Sequence, residues 1–404
     1  MKQSKSLKFI LKKIGIYFLT KSIGILDLTA MQFDQPLVSA LVPAYNAEAF
    51  IGDTLDSIIN QTYTNIEVLV VDDGSQDRTA EIVESIAQKD SRVTLLRQSN
   101  AGVAAARNLA IQKSTGDYIA PIDADDIWYP QKIEKQMECM LKADPSVGLI
   151  YTWTASVTEK GLLNGGYTNY FIQGEVYLAL LYKNFVGNAS VPLIRRSCIE
   201  RVGGYNVQLK ANNAQGCEDW DLMLRVAEHY QFRVVPELLV GYRAVPGSMS
   251  SNIKSMGKSY DLILEDAKQK YPEIPVYIYQ WGKTNFYFYL LGLSYVNGNY
   301  LNVIFWTYKI VSLDFAALLS LVLYRMFIMS ILKLIAKPIT SLVWTDHYSW
   351  SKFRQRFKPA DTKLTIADIN SKINDVQKPV WKPYDQIVLQ RWLRVMQMCK
   401  LVSP

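Results

Sequence analysis

The chain has 404 residues, of which 49% are hydrophobic and 20% are charged. This length exceeds that of one ordinary domain and the apolar content excludes a disordered chain, so we expect at least two folded units. The four cysteines and two histidines show no metal-ligand spacing, which argues against disulfide frameworks, zinc sites and histidine-based triads. Any catalysis must therefore rely on carboxylates, and a reducing compartment fits the cysteine content.

The net charge of +7 is distributed unevenly along the chain. Residues 1–32 carry +5 and residues 351–404 carry +7, which leaves −5 for the middle of the chain. A nucleic-acid-binding protein would present a basic binding face instead of an acidic body. The pattern predicts no nucleic-acid partner and two basic ends that contact an anionic membrane surface.

Residues 1–32 form a basic N-terminal segment in which apolar residues recur at helical spacing and lysines lie largely off the apolar stripe. A secretory signal is one alternative, but Lys21 and Asp27 interrupt the apolar run and no clear cleavage site follows. We expect a helix that lies in the membrane interface. An ordinary docking helix is the other reading.

From residue 36 onwards, strand-like and helix-like stretches alternate. Strands are predicted at LVSALVP, IEVLVVDDGS, RVTLLRQ and YIAPIDADD, with amphipathic helices between them. Repeated βα units of this kind predict an α/β fold with a mainly parallel sheet flanked by helices over residues 36–250. Ligands bind such sheets beyond the carboxyl ends of the strands, where the acidic residues of this sequence fall.

The sequence predicts helices after residue 255. Residues 255–310 form an aromatic-rich accessory region, and the helical spacing of its aromatic residues predicts packing. Residues 338–404 form a basic tail that Lys-Pro dipeptides interrupt, with one helix predicted at about residues 384–399. We interpret this tail as an appendage.

Residues 311–337 predict an apolar amphipathic helix of nearly membrane-spanning length. Arg325 lies near its centre, where a charged side chain costs about 2.5–3.5 kcal/mol to insert. Asp314 falls on the same side of the helix as Arg325. One polar stripe favours a helix in the membrane interface, or docked on the body, over one that crosses the membrane.

Three groups of acidic residues could carry chemistry: Asp72-Asp73 and Asp123-Ala124-Asp125-Asp126 at strand ends, and Glu218-Asp219 before an apolar helix. Clustered carboxylates are costly unless cations or hydrogen-bond donors meet them. A D-x-D turn can hold Mg²⁺ or Mn²⁺, which in turn holds a diphosphate. Each group alone has a structural alternative, since DDG is a common turn and ED a common helix start. Their order along one βα region favours a binding site.

These acidic residues belong to an ordered set of motifs that resembles the family-2 glycosyltransferases of the GT-A fold. The matching stretches are VSALVPAYNAEAFI, QTYTNIEVLVVDDGSQDRT, NAGVAAARNLAI, GDYIAPIDADDIWYP, GGYN, CEDWDLMLR and GYRAVPGSMS. The resemblance implies an inverting, metal-dependent transfer from a nucleotide-diphosphate sugar, preferably a UDP-sugar. The acceptor would be a hydroxyl of a glycan or lipid-linked molecule in polysaccharide or glycoconjugate synthesis. The enzyme would act in the cytoplasm at the inner face of the cell membrane.

The resemblance also implies roles for single residues. Asp219 would be the general base with Glu218 in support, and Asp125 and Asp123 would hold Mn²⁺ or Mg²⁺. The implied donor-binding residues are Pro43, Tyr45, Asn46, Asp73, Arg107, Asp123, Asp125 and Arg243. A salt bridge is an equal alternative for Arg107. The family often has a histidine just after the arginine, where this chain has Val245 nearby.

Two other functions compete with glycosyl transfer. A nucleotidyltransferase that makes nucleotide sugars shares the βα layout, but it would normally show a glycine-rich basic loop near the first strand. The stretch VPAYNAEAF contains neither glycine nor a basic residue. A non-catalytic relative would be expected to have a broken ED or D-x-D motif, and both motifs are intact.

Overall fold

A computed structural model gives the structure of the protein. It describes residues 35–243, 245, 252–340, 365–374 and 382–401. The chain divides into two units, residues 1–36 and residues 37–404. The predicted N-terminal helix of residues 1–32 lies outside the described residues, as does most of the basic tail.

The second unit alternates strands and helices up to residue 243, and the regular elements described after it are helices. The strands are β1 (Val38–Ala44), β2 (Ile66–Asp72), β3 (Val93–Arg97), β4 (Tyr118–Pro121), β5 (Ile127–Trp128), β6 (Val147–Val157), β7 (Leu163–Thr168), β8 (Leu193–Arg195) and β9 (Gln231–Arg243). The helices of the sheet region are α1 (Ile51–Ile59), α2 (Thr79–Ala87), α3 (Val103–Lys113), α4 (Lys132–Lys142), α5 (Tyr177–Tyr182), α6 (Arg196–Val202), α7 (Gln208–Ala211) and α8 (Glu218–Ala227). The later helices are α9 (Ile253–Lys270), α10 (Val276–Val296), α11 (Tyr300–Leu313), α12 (Leu321–Thr340), α13 (Ile366–Asn374) and α14 (Pro383–Met398).

In the described part of the chain the strands form one sheet in the order β3-β2-β1-β4-β8-β6-β9-β5, with β7 paired to β6. The first four strands pair in parallel, as βα units require. The second half is mixed, because β8 runs antiparallel to both β4 and β6 while β6 and β9 are parallel. The predicted α/β class and helical C-terminal region are confirmed.

The register of the parallel strands brings the acidic residues to one edge of the sheet. Ala44 at the end of β1 pairs with Asp72 at the end of β2, and the Asp73 N–H donates to the Ala44 carbonyl at 2.8 Å. On the other side of β1, the Ile122 N–H donates to the Leu41 carbonyl at 2.9 Å. The DADD turn therefore begins beside the carboxyl end of β1, on the same edge as Asp73.

Aromatic packing joins the helical region to the sheet region. The ring of Trp220, in the first turn of α8, lies 4.4 Å from that of Tyr260 on α9 and 5.4 Å from that of Phe286 on α10, measured between centroids. Aromatic pairs at these distances stabilise beyond their buried area. The helix that carries Asp219 is thus fixed from two sides.

The predicted helix 311–337 is interrupted in the structure. Helix α11 ends at Leu313, a 3₁₀ turn covers Phe315–Leu319, and α12 begins at Leu321. Asp314 explains the break, because its carboxylate accepts the Ala316 N–H at 3.1 Å as a cap and pairs with Arg391 of α14. Asp314 is therefore buried and does not form a polar stripe with Arg325.

No helix among the described residues combines the length and apolar character needed to cross a membrane. The final helix of the tail lies at residues 383–398, close to its predicted bounds. It packs on the body, since the rings of Trp392 and Tyr182 are 5.4 Å apart and the Tyr384 hydroxyl lies 3.2 Å from Asp314 Oδ2. This part of the tail is not a free appendage.

Replacing Arg391 with methionine should destabilise the protein by about 3–5 kcal/mol, because it leaves Asp314 buried without its partner. Burial alone would raise the pKa of Asp314, but hydrogen bonds and the charge of Arg391 hold that pKa below its ordinary value. Urea denaturation measures the change. The control is Arg78→Met, whose ion pair with Glu81 is exposed and should contribute at most about 1 kcal/mol. Equal losses in both variants would contradict the prediction.

Candidate active site

A cleft of about 1310 Å³ opens where β1, β2 and β4 end. Most of the predicted site residues line it, namely Pro43, Tyr45, Asn46, Asp73, Arg107, Asp123, Asp125, Glu218 and Asp219. They come from five separate chain segments, and the sheet register and the start of α8 bring them together. Among the predicted site residues that the structure describes, only Arg243 does not line the cleft.

Asp73 is almost fully buried and holds the loop that leads into α3. Its Oδ1 accepts hydrogen bonds from Gln98 Nε2 and the Ala101 N–H, both at 2.7 Å, and its Oδ2 accepts the Gly102 N–H at 2.8 Å. Gly102 adopts a φ of 90°, which an L side chain rarely allows, so glycine is needed for this approach. A carboxylate offers about four acceptor positions, so the Asp73 carboxylate retains one.

The loop after β1 is tied to the loop after β2. Asn46 Oδ1 accepts the Gln76 N–H at 2.8 Å, and the Asn46 N–H donates to Ser75 Oγ at 3.0 Å. Glu48 Oε2 accepts the Arg78 N–H at 3.0 Å. These bonds order the loop after β1, and Tyr45 stays half exposed at the cleft.

Two hydroxyl side chains fix the DADD turn. The Thr54 hydroxyl lies 3.0 Å from the Ala124 carbonyl oxygen and 2.9 Å from that of Asp126. Ser190 Oγ accepts the Asp123 N–H at 3.0 Å and donates to the Asp126 carboxylate. Asp126 is fully buried, so it supports the turn from behind instead of facing the cleft. Neither Thr54 nor Ser190 was predicted, because an isolated hydroxyl in a sequence carries no signal of its partner.

Asp123 and Asp125 face the cleft and repel each other. Burial first, and then the charge of Asp123, raise the pKa of Asp125 to about 7. Arg107 is buried and forms an ion pair with Asp123. Asp125 has no comparable ion pair among the described contacts. A carboxylate in this position is stabilised when a cation approaches it.

The carboxylates at this position are suited to a divalent cation that binds together with a phosphate-bearing ligand. No group of three metal-ligating side chains occurs in the part of the chain that the structure describes. Mg²⁺ typically binds through one or two carboxylates together with substrate phosphates, and it keeps several waters. Asp125 and Asp123 are two carboxylates that line the cleft and could serve in this way.

Glu218 and Asp219 are the first two residues of helix α8, and neither occupies the N-cap position. Cys217 is the N-cap residue and its side chain makes no capping hydrogen bond, while Glu218 Oε2 accepts the Gly216 N–H at 2.8 Å. Burial raises the pKa of Asp219 to about 6 against the lowering effect of Arg107. A carboxylate with such a pKa can accept a proton near neutral pH.

Arg243 does not line the cleft. Its N–H donates to Asp126 Oδ1 at 2.9 Å, and its buried guanidinium lies over the ring of Phe50 and 3.3 Å from Asp53 Oδ2. The structure therefore does not bring the Arg243 side chain together with the other predicted site residues, and its role in donor binding stays a prediction. Val245 lines the cleft, whereas Ser248 and Ser250, which follow it in sequence, lie outside the described residues.

Part of the cleft wall comes from elements outside the motifs. It is lined by Tyr170, Lys183, Asn285, Phe286, Tyr289, Leu389 and Trp392. Burial raises the pKa of Tyr289, and the nearby Cys217 and Asp219 raise it further. Tyr289 therefore lies close to Asp219. The prediction that the aromatic residues of 255–310 serve packing is thus incomplete, since Phe286 and Tyr289 also face the cleft. His229 stands apart from this site, next to Glu228 at the end of α8.

Fold and site together define an α/β protein with a carboxylate-lined ligand cleft at the ends of parallel strands. The family model "Glycosyl transferase family 2" matches residues 39–203. A putative teichuronic acid biosynthesis glycosyltransferase, TuaG of Bacillus subtilis, is 30% identical over 221 residues, which cover 54% of this chain and 83% of the relative. The chain belongs to glycosyltransferase family 2.

Other curated relatives are longer than the matched region. The hyaluronan synthase of Pasteurella multocida is 28% identical over 224 residues, which are 55% of this chain and 22% of that protein. An uncharacterized glycosyltransferase of Haemophilus influenzae is 44% identical over 110 residues, or 27% of this chain and 44% of the relative. The chain thus spans less than half the length of several relatives that it matches.

One similar solved structure is that of the mannosyltransferase PcManGT from Pyrobaculum calidifontis in complex with GDP-Man and Mn²⁺. It is 18% identical with a TM-score of 0.47, and the alignment covers 90% of this chain and 86% of that chain. S. aureus TarS 1–349 in complex with UDP is 19% identical with a TM-score of 0.45, covering 57% and 65% respectively.

Proposed function

We propose that the protein is an inverting glycosyltransferase of the GT-A type that moves a sugar from a nucleotide-diphosphate donor to a hydroxyl of a glycan or lipid-linked acceptor. The observation that carries this proposal is the convergence of Asp73, Asp123, Asp125 and Asp219 on one cleft. The identity with TuaG over most of that protein's length supports a role in polysaccharide synthesis. The predicted contact of the basic ends with the inner face of the cell membrane is part of the same proposal.

The donor would bind at the ends of β1, β2 and β4. Asp73 has one acceptor position left and a rigid setting, which suits a hydrogen bond from the donor's base, and the resemblance favours uracil. Pro43 and Tyr45 line the cleft beside it and can pack on the flat face of the base. Asn46 holds this part of the cleft in shape through its bonds to the neighbouring loop.

The diphosphate would lie near Asp123 and Asp125. A bound Mn²⁺ or Mg²⁺ would supply positive charge that stabilises the leaving nucleotide diphosphate. Asp125 is the better candidate ligand, because Arg107 already pairs with Asp123. Arg107 also keeps a positive charge near Asp219 and Glu218. This charge limits the pKa of Asp219 and favours its ionised form.

Asp219 would act as the general base. It would accept the proton of the acceptor hydroxyl as the oxygen attacks the anomeric carbon, while the bond from that carbon to the diphosphate breaks. One displacement inverts the configuration at the anomeric carbon. General-base assistance of this kind contributes about 10²–10⁴-fold.

The acceptor would enter along the aromatic part of the cleft wall. Tyr289 lies beside Asp219 and is half exposed, so its ring can pack on the apolar face of an acceptor sugar. Leu389 and Trp392 of α14 extend this wall with apolar surface. The donor and acceptor sides of the cleft thus differ in character, one acidic and one aromatic.

A screen of nucleotide sugars for product-nucleotide release tests the proposal. We expect release from one donor class, UDP-sugars first, and an increase when Mn²⁺ or Mg²⁺ is added to metal-free protein. Release can occur with water as acceptor, so the assay needs no known acceptor. No release from UDP-, GDP- or dTDP-sugars with either metal, combined with no nucleotide binding by calorimetry, would contradict the proposal.

A further inference from the structure

Helices α11 and α12 and the 3₁₀ turn between them expose an unusual amount of apolar surface. More than half of the large hydrophobic side chains exposed in the described part of the chain lie between residues 296 and 335. We call these residues the α11–α12 face: Leu301, Phe305, Tyr308, Phe315, Leu318, Leu319, Leu321, Val322, Tyr324, Ile328, Met329, Leu332 and Ile335. Apolar surface of this extent marks an interaction site.

The exposed residues form one side of each helix. On α11, Leu301, Phe305 and Tyr308 are exposed at helical spacing, whereas Val303, Trp306 and Ile310 are buried. On α12, the exposed residues recur every three or four positions from Leu321 to Ile335, and Leu323 is buried. The buried sides pack towards the body, so the exposed sides do not result from a poorly packed helix pair.

The exposed charges that these helices themselves carry are of one sign. Arg325 is exposed, Lys309 lies 5.8 Å from the Phe305 ring centroid, and Lys333 lies 4.4 Å from that of Tyr295. The only acid between residues 296 and 340 is Asp314, which is buried and paired with Arg391. The face therefore combines apolar side chains with cations and exposes no carboxylate of its own.

We propose that the α11–α12 face docks on an anionic phospholipid bilayer, with its apolar side chains in the interface and its cations among the headgroups. A second copy of the chain fits less well, because a symmetric contact would bring like charges together. The N-terminal segment of residues 1–32 carries +5 and would also bring like charges. The inference concerns a surface separate from the active-site cleft and does not depend on the transferase proposal.

Flotation with vesicles of phosphatidylglycerol and phosphatidylcholine tests this assignment on the full chain. We expect wild-type protein to float with these vesicles and the double variant Phe315→Glu, Ile328→Glu to lose at least about tenfold in partitioning. The matched control is Leu141→Glu, Leu162→Glu, which places the same charges on exposed apolar residues elsewhere. This control should float like wild type.

A second variant addresses the charges without touching the apolar residues. Lys309→Glu, Arg325→Glu should weaken flotation with anionic vesicles and leave flotation with pure phosphatidylcholine vesicles unchanged. Wild-type protein that does not float, or a Phe315→Glu, Ile328→Glu variant that floats like wild type, would overturn the proposal. A concentration-dependent dimer in sedimentation velocity that this variant abolishes would overturn it in favour of a second copy.

Discussion

Replacing Asp219 with asparagine should lower turnover by about 10²–10⁴-fold and leave donor affinity near that of the wild-type protein. Asparagine keeps the size of the side chain and can still accept the Trp220 N–H bond that Asp219 accepts at 2.8 Å. It cannot take the proton of the acceptor hydroxyl. Single-turnover kinetics with the donor that the nucleotide-release screen identifies measures the loss, and calorimetry measures donor affinity.

The pKa of Asp219 adds a pH dependence to this prediction. Since burial raises that pKa to about 6, wild-type turnover should fall as the pH drops through 6 and the base becomes protonated. A carboxyl whose pKa is raised on folding costs stability above that pKa, and the cost disappears as the pH falls below it. Asp219→Asn should therefore melt at a higher temperature than wild type at pH 8, and this gain should shrink towards pH 4.

Asp221→Asn is the matched control, because Asp221 lies in the same helical turn and pairs with Arg225 at 2.6 Å. That variant should keep its turnover, because Asp221 does not line the cleft. If Asp219 were only a favourable acid at the helix start, Asp219→Asn would lose stability and retain near-normal turnover. A rate within a few-fold of wild type, or a product that retains the anomeric configuration, would rule out Asp219 as the base of an inverting transfer.

The first half of the fold follows from its sequence pattern. Each predicted strand from LVSALVP to YIAPIDADD is present, because short apolar runs between amphipathic helices leave few arrangements besides parallel βα units. The mixed second half could not be predicted. Strand β8 has only three residues and inserts between β4 and β6, a pairing that depends on distant segments.

The site was predicted as far as its carboxylates, since acids at the ends of parallel strands must meet at one edge. Arg243 shows where this reasoning fails. Its position after the motif does not reveal which side of β9 its side chain takes, and the structure turns it towards Phe50. The aromatic wall was missed for a related reason, because helical spacing does not separate Tyr289, which faces the cleft, from neighbours that only pack.

Asp314 illustrates the same limit for the helical region. The run from residue 311 to 337 is apolar enough to continue as one helix, and nothing local marks residue 314 as its end. Its partner Arg391 lies 77 residues further along the chain. Tertiary pairing of this kind overrides a local pattern, which explains why one predicted helix became a helix, a 3₁₀ turn and a second helix.

The second large effect is expected at Asp125. Asp125→Ala should abolish the Mn²⁺-dependent part of UDP binding, because this variant removes the carboxylate that is free to approach a cation while Arg107 holds Asp123. Titration of UDP into metal-free protein and into protein with Mn²⁺ measures that part as a difference. The melting temperature without metal should not fall, since the change removes one of two carboxylates that repel each other.

Asp56→Asn serves as the control, because Asp56 is an exposed carboxylate on α1 and does not line the cleft. This variant should bind UDP with the same dependence on Mn²⁺ as wild type. Asp123→Asn should have a mixed effect, since it also leaves Arg107 buried without its ion-pair partner and should therefore lower the melting temperature. Unchanged Mn²⁺-dependent UDP binding in Asp125→Ala would show that the cation, if one binds, is held elsewhere. The two variants should therefore differ. Asp125→Ala should lose only the metal dependence of UDP binding, whereas Asp123→Asn should lose both that metal dependence and stability.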